Sequence, residues 1–207
     1  MSENTTGQAT VFVVDDDEAM RDSLHLLLES VNLNARPFAS ARDFMRSCDP
    51  KQQGCLLLDV KMPDMSGMAL LETLKSSGIV LPFIMITGHG DVPMAVRALK
   101  HGAFDFIQKP FKARELLERV RAALELDQKN RLRISELNLR RAAFSALTDR
   151  EMEVVDLVVA GNSSKLIARS LGISPKTVDI HRANIMRKLN AHTVAEIVQL
   201  RLSLRDA

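Results

Sequence analysis

Along the first half of the chain, continuous apolar runs alternate with stretches whose apolar residues recur every three or four positions. Thr-Val-Phe-Val-Val at 10–14 is such a run, and it stops at Asp15-Asp16-Asp17. Met20, Leu24, Leu27, Leu28 and Val31 then fall at helical spacing and predict a helix over 19–31. A short strand near 34–38 and a helix near 41–48 follow, and Cys55-Leu-Leu-Leu-Asp59 is a second apolar run ending in an acid. Met68, Leu71 and Leu74 predict a helix over 67–76. After it come a strand over 82–87, a helix over 93–101, a strand over 104–107 and a helix from about 112 carrying Leu116, Leu117, Val120, Ala123 and Leu124. Five apolar strands alternating with five helices predict an α/β fold, a doubly wound five-stranded parallel sheet covered on both faces. Ligand sites on such sheets lie at the carboxyl ends of the strands. Residues 127–145 are charged with little periodicity and predict a helical or flexible linker. From Leu147 the helical spacing resumes as four short helices near 149–160, 163–171, 174–189 and 192–203, with no strand signal. The expected organisation is a domain over 1–126, a linker over 127–145 and an all-α domain over 146–207.

Composition narrows the class. The 207 residues are 46% hydrophobic and 26% charged, enough for two ordinary globular cores without a disulfide scaffold. Cys48 and Cys55 lack metal-site spacing and read as small buried apolar residues in a reducing compartment. The run Ile79–Ile86 is interrupted by Pro82 and too short to span a bilayer, and the polar stretch Met1–Thr10 does not resemble a signal peptide. A cytoplasmic protein with no membrane partner is expected. The net charge of +2 hides an asymmetry. Residues 1–126 carry 17 acidic and 14 basic side chains, and residues 127–207 carry 9 and 14. The basic second part is a candidate for nucleic acid.

The strand tips carry the candidate chemistry. The first ends in Asp15-Asp16-Asp17, the third in Asp59 and the fourth in Thr87, and the fifth is followed by Lys109-Pro110. Converging carboxylates repel unless a cation is present. Oxygen ligands without a nearby His or Cys favour a hard ion, Mg²⁺ over Zn²⁺. A lysine and a hydroxyl beside them make a place for a phosphoryl group, and the implied reaction is attack of an Asp carboxylate on phosphorus. Val-Asp-Asp-Asp at 14–17, Leu-Asp-Val-Lys-Met-Pro-Asp-Met-Ser-Gly at 58–67, Ile-Thr-Gly-His-Gly-Asp at 86–91 and Phe-Ile-Gln-Lys-Pro-Phe at 106–111 resemble the receiver domain of two-component response regulators, most closely the FixJ type. That resemblance implies a flavodoxin-like fold with Asp59 as phosphoacceptor. It implies Mg²⁺ held by Asp15, Asp16, Asp59 and the backbone carbonyl of Lys61, with Lys109 and Thr87 on the phosphoryl oxygens. It also implies a switch formed by Thr87 and Phe106, which lacks the tyrosine hydroxyl of some members; a plain core phenylalanine is the alternative. The donor would be a histidine on a sensor kinase.

In the second part, Thr148 followed by Glu151 marks a capping box, Gly161 ends that helix, and Ser163 or Ser164 opens the next. Gly172 breaks it, and Ser174-Pro175 opens a third with a cap and a proline at the first helical position. Two short helices around Gly172-Ile173-Ser174 fit a helix-turn-helix. On a helical wheel Val178, Ile185 and Leu189 form the buried stripe of the third helix. Lys176, Ile180, Ala183 and Arg187 lie opposite, flanked by His181, Asn184 and Lys188, with Asp179 on the edge. The stretch resembles the LuxR-type DNA-binding domain, with Asp179 and His-Arg-Ala-Asn following the FixJ branch. Lys165, Thr177, His181 and Lys188 match positions that members use largely on phosphates. Asp179 either accepts from a cytosine amino group or pairs with Arg182 or Lys176 and orients the cation.

The two halves together resemble a transcriptional response regulator. Phosphorylation by a sensor histidine kinase is expected to promote homodimerisation and binding to double-stranded promoter DNA, with RNA polymerase as a further partner. No enzymatic turnover beyond self-phosphorylation is expected. An aspartate-based phosphohydrolase needs an acid two residues after its nucleophile, where this chain has Lys61. A receiver that only dimerises would not need Asp15, Asp16, Asp59, Thr87 and Lys109 together.

Overall fold

The structure is a computed structural model that describes residues 9–49, 51–63, 65–88, 96–97 and 99–204. They fall into two compact units, Met1–Asn130 and Arg131–Ala207. The first holds β1 (Thr10–Val14), α1 (Glu18–Glu29), β2 (Asn34–Phe38), α2 (Ala41–Ser47), β3 (Gly54–Asp59), α3 (Gly67–Ser76), β4 (Phe83–Thr87), β5 (Asp105–Gln108) and the start of α4 (Ala113–Ser145). The second holds the end of α4 and then α5 (Asp149–Val159), α6 (Ser164–Leu171), α7 (Pro175–Leu189) and α8 (Val194–Ser203). Of the helix expected over 93–101, residues 96–97 and 99–100 are helical, and the remainder, with His89 and Asp91, lies outside the described residues.

The sheet is fully parallel in the order β2-β1-β3-β4-β5. The central strands β1, β3 and β4 are buried because alternate side chains feed two cores. Phe12, Val14, Leu56 and Leu58 pack with Phe38 and Phe44 beneath α2 and α3. Val11, Val13, Leu57, Ile84 and Ile86 pack with Leu24 and Leu28 of α1 and with Leu116, Val120 and Ala123 of α4. Register then lines up the strand tips. Val14 pairs with Leu58, Asp59 with Ile86, and Thr87 with Gln108. Asp15, Asp59, Thr87 and Lys109 therefore emerge along one edge. The chain leaves β1 towards β2 and returns past it to β3, so the crevice between β1 and β3 is the topological switch point.

Two features go beyond the sequence pattern. Residues 127–145, expected as a helical or flexible linker, are helical and continue α4, which runs unbroken from Ala113 to Ser145. The middle of α4 is largely exposed, with Leu132 at 59% and Leu139 at 69%, so no core-facing stripe was there to choose helix over flexible segment. Cys55 is buried as expected, its thiol pushed up to about 12 by burial and then by Asp127. Cys48 is only half-buried, and its Sγ accepts from Gln52 Nε2 at 2.8 Å.

The second unit has its own core, built on Phe144, Val154, Val155, Ile167, Val178, Ile185, Leu189 and Ile197. Its helix starts are capped by the side chains of Thr148, Ser163, Ser174 and Thr193, and Pro175 sits at the first helical position of α7. Gly172 takes the left-handed conformation (φ 66°) that closes α6. Leu166 lies 54% exposed on α6, beside the buried Ile167 and Ala168.

Gly67 positions the third strand tip. Its backbone N–H donates to the Val60 carbonyl at 3.3 Å, and a Cβ there would stand 2.7 Å from the Asp59 carbonyl oxygen and 3.1 Å from Leu58 Cγ. Both neighbours belong to the buried β3 and cannot move aside. Gly67→Ala is therefore expected to cost about 1–3 kcal/mol by overpacking. Hydrogen exchange over β3 and α3 checks this: protection should fall there and persist in α5–α8.

Candidate functional site

The acidic pocket is assembled by backbone before any ion is considered. Asp15 is 2% exposed and held from three sides. The Asp17 N–H donates to its Oδ1 at 2.9 Å, Arg21 Nη1 donates to its carbonyl at 2.9 Å, and Lys109 Nζ donates to its Oδ2 at 2.8 Å. Asp17, the third acid of the run, serves the following helix instead. Its side chain caps α1 by accepting from the Ala19 and Met20 N–H groups. Asp59 is 8% exposed. Its Oδ2 accepts from the Lys61 N–H at 3.2 Å, and its Oδ1 lies 3.4 Å from Lys109 Nζ. Asp16 is exposed, and one carboxylate oxygen from each of Asp15, Asp16 and Asp59 lies within 4.8 Å of the others. Lys109 is placed by its backbone N–H, which donates to the Thr87 carbonyl at 2.7 Å. Thr87 itself is 1% exposed.

The charges inside this pocket are strongly coupled. Burial pushes the Asp59 carboxyl up; the Lys109 charge pulls it back, Asp15 pushes it up again, and it ends above the ordinary carboxylate range. Burial alone would lower the Lys109 pKa, but the hydrogen bond and charge of Asp15, joined by Asp59, hold it above its ordinary value. The donor set is three carboxylates with no imidazole or thiolate, which suits a hard divalent cation such as Mg²⁺. The structure brings together Asp15, Asp16, Asp59 and Lys109, with Thr87 and Lys61 adjacent by sheet register and backbone bonding. Phe106 is half-buried and packs against the core under α2 and α3. Beside Lys109, a groove of about 270 Å³ is lined by Met20, Leu24 and Leu27 of α1 and by Pro110 and Phe111.

On α7, Lys176, Ile180, Ala183 and Arg187 are exposed, while Val178, Ile185 and Leu189 are buried, which is the face division read from the wheel. Thr177, His181 and Asn184 are half-buried, and Lys165 is exposed on α6. Among the described residues Asp179 makes no direct ion pair; its Oδ1 accepts from Ser164 Oγ at 3.0 Å, and that hydroxyl in turn accepts from Arg182 Nη1 at 2.8 Å. Lys188 has an engagement that its position on the wheel did not reveal. Its Nζ donates to Glu151 Oε2 at 2.7 Å and to the Ala146 carbonyl at 3.1 Å. Glu151 is 4% exposed and also receives the Thr148 N–H and hydroxyl, so one carboxylate caps α5 and anchors α7. A second residue invisible in the pattern is Asp127, 3% exposed on α4, whose Oδ2 accepts from the Gly54 N–H at 2.9 Å. Both partnerships join residues far apart in sequence, and no local spacing signals them.

The hydrogen bond from Lys188, then those from Thr148, hold the Glu151 carboxyl below the usual range against the opposing effect of burial. Folding therefore weakens proton binding at Glu151. Its contribution is complete above the ordinary glutamate value, about pH 4.3, and fades as pH falls through the depressed folded value. Lys188→Met leaves this carboxylate buried without its cation and is expected to cost about 1–3 kcal/mol. Hydrogen exchange in α5 and α7 at pH 7 and pH 4 checks both: the wild type should lose protection on acidification, and the variant should start lower and lose less.

Both units match known families. The family described as "Response regulator receiver domain" matches residues 11–121, and "Bacterial regulatory proteins, luxR family" matches residues 145–201. The transcriptional regulatory protein TdiR of Thauera aromatica is 44% identical, over 96% of this chain and 88% of that protein. The transcriptional regulatory protein FixJ of Rhizobium meliloti is 42% identical, over 94% of this chain and 95% of its own. A low-resolution structure of the response regulator StyR is similar with a TM-score of 0.85 at 42% identity, covering 94% of this chain and 98% of that one.

Proposed function

The chain belongs to the response regulators of two-component systems that join a receiver domain to a luxR-type DNA-binding domain, and on that premise we propose that phosphorylation of Asp59 switches its dimerisation and promoter binding. The observation that carries this reading is the Lys109 ammonium standing between the buried carboxylates of Asp15 and Asp59 at the switch point of the sheet. We assign residues 1–126 to the receiver, 127–145 to a linker and 146–207 to the DNA-binding domain.

A sensor kinase supplies the phosphoryl group from a histidine. A carboxylate oxygen of Asp59 attacks phosphorus, the Asp59 O–P bond forms as the P–N bond to the donor imidazole breaks, and the imidazole leaves with the electron pair. Asp15, Asp16, Asp59 and the Lys61 carbonyl would hold Mg²⁺, which supplies charge neutralisation on the transferred group when bound. Lys109 exchanges its contact with Asp59 for a phosphoryl oxygen, and the Thr87 hydroxyl takes another. The groove between α1 and Pro110-Phe111 offers an apolar surface beside Lys109 for the kinase domain. Redirection of Lys109 and Thr87, with Phe106 following, repacks the neighbouring surface and favours a homodimer. Moving such a switch from mostly one state to mostly the other needs about 5.5 kcal/mol of differential interaction. No turnover beyond self-phosphorylation is assigned. The position two residues after Asp59 holds Lys61, not an acid.

The luxR-type unit lays α7 in a major groove, with Ile180, Ala183, Asn184 and Arg187 towards base edges and Lys165, Lys176, Thr177 and His181 towards phosphates. Two copies read half-sites about one helical turn apart. RNA polymerase is the further partner at a promoter. Among the described residues no helix is long and apolar enough to cross a membrane, and we place the protein in the cytoplasm.

Asp59→Asn keeps the shape and removes the nucleophile. Intact mass after incubation with acetyl phosphate and Mg²⁺ should gain one phosphoryl group in the wild type and none in the variant; a full adduct on the variant removes Asp59 as acceptor. On DNA, Lys165→Ala should weaken all sequences alike and lower the salt slope by about one. Lys188→Ala should leave that slope unchanged, because its ammonium is bonded to Glu151.

A further inference from the structure

We infer that Ser164 is a positioning residue for sequence reading: it fixes one oxygen of Asp179 so that the other is presented to the amino group of a cytosine in the major groove. This rests on α7 being the groove helix. The direction of the hydrogen bonds follows from the chemistry of the three groups. Arg182 Nη1 lies 2.8 Å from Ser164 Oγ, and Ser164 Oγ lies 3.0 Å from Asp179 Oδ1. A guanidinium only donates and an ionised carboxylate only accepts. The single hydroxyl proton of Ser164 is therefore committed to Asp179, and its lone pair to Arg182. The three side chains form a one-way relay from Arg182 through Ser164 to Asp179.

The relay ties two helices at the right place. Ser164 is the first residue of α6, held by the cap of Ser163, and Asp179 lies in the second turn of α7 beside the exposed Ile180. Asp179 is exposed, and no other bond of its carboxylate competes with Ser164 among the described residues. An acid on a face that meets a polyanion is repelled by it, so a carboxylate there needs a compensating contact. Base edges in the major groove supply few donors. The cytosine N4 amino group is the natural partner of an Asp. The adenine amino group has the N7 acceptor beside it, which a carboxylate oxygen meets with repulsion. An Asp free to rotate could instead fold onto Lys176, three residues before it. Holding Oδ1 on Ser164 removes that freedom and leaves Oδ2 for the base. Arg182 carries the balancing positive charge one hydroxyl away, at a half-buried position where it cannot itself become the reading group.

The test is binding-site selection from random duplexes with the full chain activated by beryllofluoride and Mg²⁺. The variants are Ser164→Ala, Ser164→Thr, Asp179→Ala and the double Ser164→Ala/Asp179→Ala, each checked for an unchanged thermal melt. The wild type should prefer cytosine about fivefold at one position per half-site. Ser164→Ala and Asp179→Ala should each lose that preference at the same position, and the double variant should look like Asp179→Ala alone. Ser164→Thr keeps the hydroxyl and should keep the preference. Affinity of Asp179→Ala for non-specific duplex should be equal or higher. A Ser164→Ala protein that selects the wild-type motif overturns the positioning role and leaves the hydroxyl a brace between helices. An Asp179→Ala protein whose motif is unchanged, or a wild-type preference for adenine at that position, overturns the cytosine contact. A wild type that selects no motif overturns the groove-helix reading itself, an outcome distinct from the other two.

Discussion

Three carboxylates at the ends of neighbouring strands repel one another, and the ammonium of Lys109 is the charge that offsets them. Two like charges about 4 Å apart cost about 4 kcal/mol at an effective dielectric of about 20. A domain is stable by only about 5–15 kcal/mol, so the pocket could not stand uncompensated. Sheet register brings Asp15 and Asp59 together, burial keeps them from relaxing into water, and Lys109 reaches both at 2.8 and 3.4 Å. Their shared attraction for one cation is what the proposed switch uses. Any new negative group on Asp59 competes for the same ammonium, and Lys109 is fixed through its backbone to Thr87 on the next strand.

The DNA-binding unit solves a related problem with a different device. In the proposed role, its helix α7 must expose cations without losing its seat. Glu151 meets that need from inside: one buried carboxylate caps α5 and holds the C-terminal end of α7 through Lys188. Serine, threonine and proline at the helix starts and Gly172 at the turn set the angle between α6 and α7. The Ser164 relay adds a polar tie between the same two helices.

Much of this was legible in the sequence because it is local. Strands buried on both faces read as continuous apolar runs, and those runs stop at the acids that form the site. Capping residues name helix starts directly, as Thr148, Ser174 and Pro175 do. The faces of α7 followed from its period alone. What could not be read were pairings across the fold. Lys188 sits on the flank of the exposed face, and its partner Glu151 is 37 residues away, so its pairing could not be read beside the phosphate role that the resemblance implied. Asp127 and Gly54 are 73 residues apart. The continuity of α4 was hidden for the opposite reason: where a helix buries little, its apolar positions lose their period.

The most direct measurement is the affinity of the full chain for its selected operator, by fluorescence anisotropy, with Mg²⁺ alone and with Mg²⁺ plus beryllofluoride, in the wild type and in Asp59→Asn. Coupling of the pocket to DNA predicts tighter binding with beryllofluoride in the wild type, by about 5- to 150-fold for a coupling of about 1–3 kcal/mol, and no change in the variant. Equal operator affinity with and without beryllofluoride in the wild type, at a concentration where the acyl-phosphate mimic is bound, would contradict it.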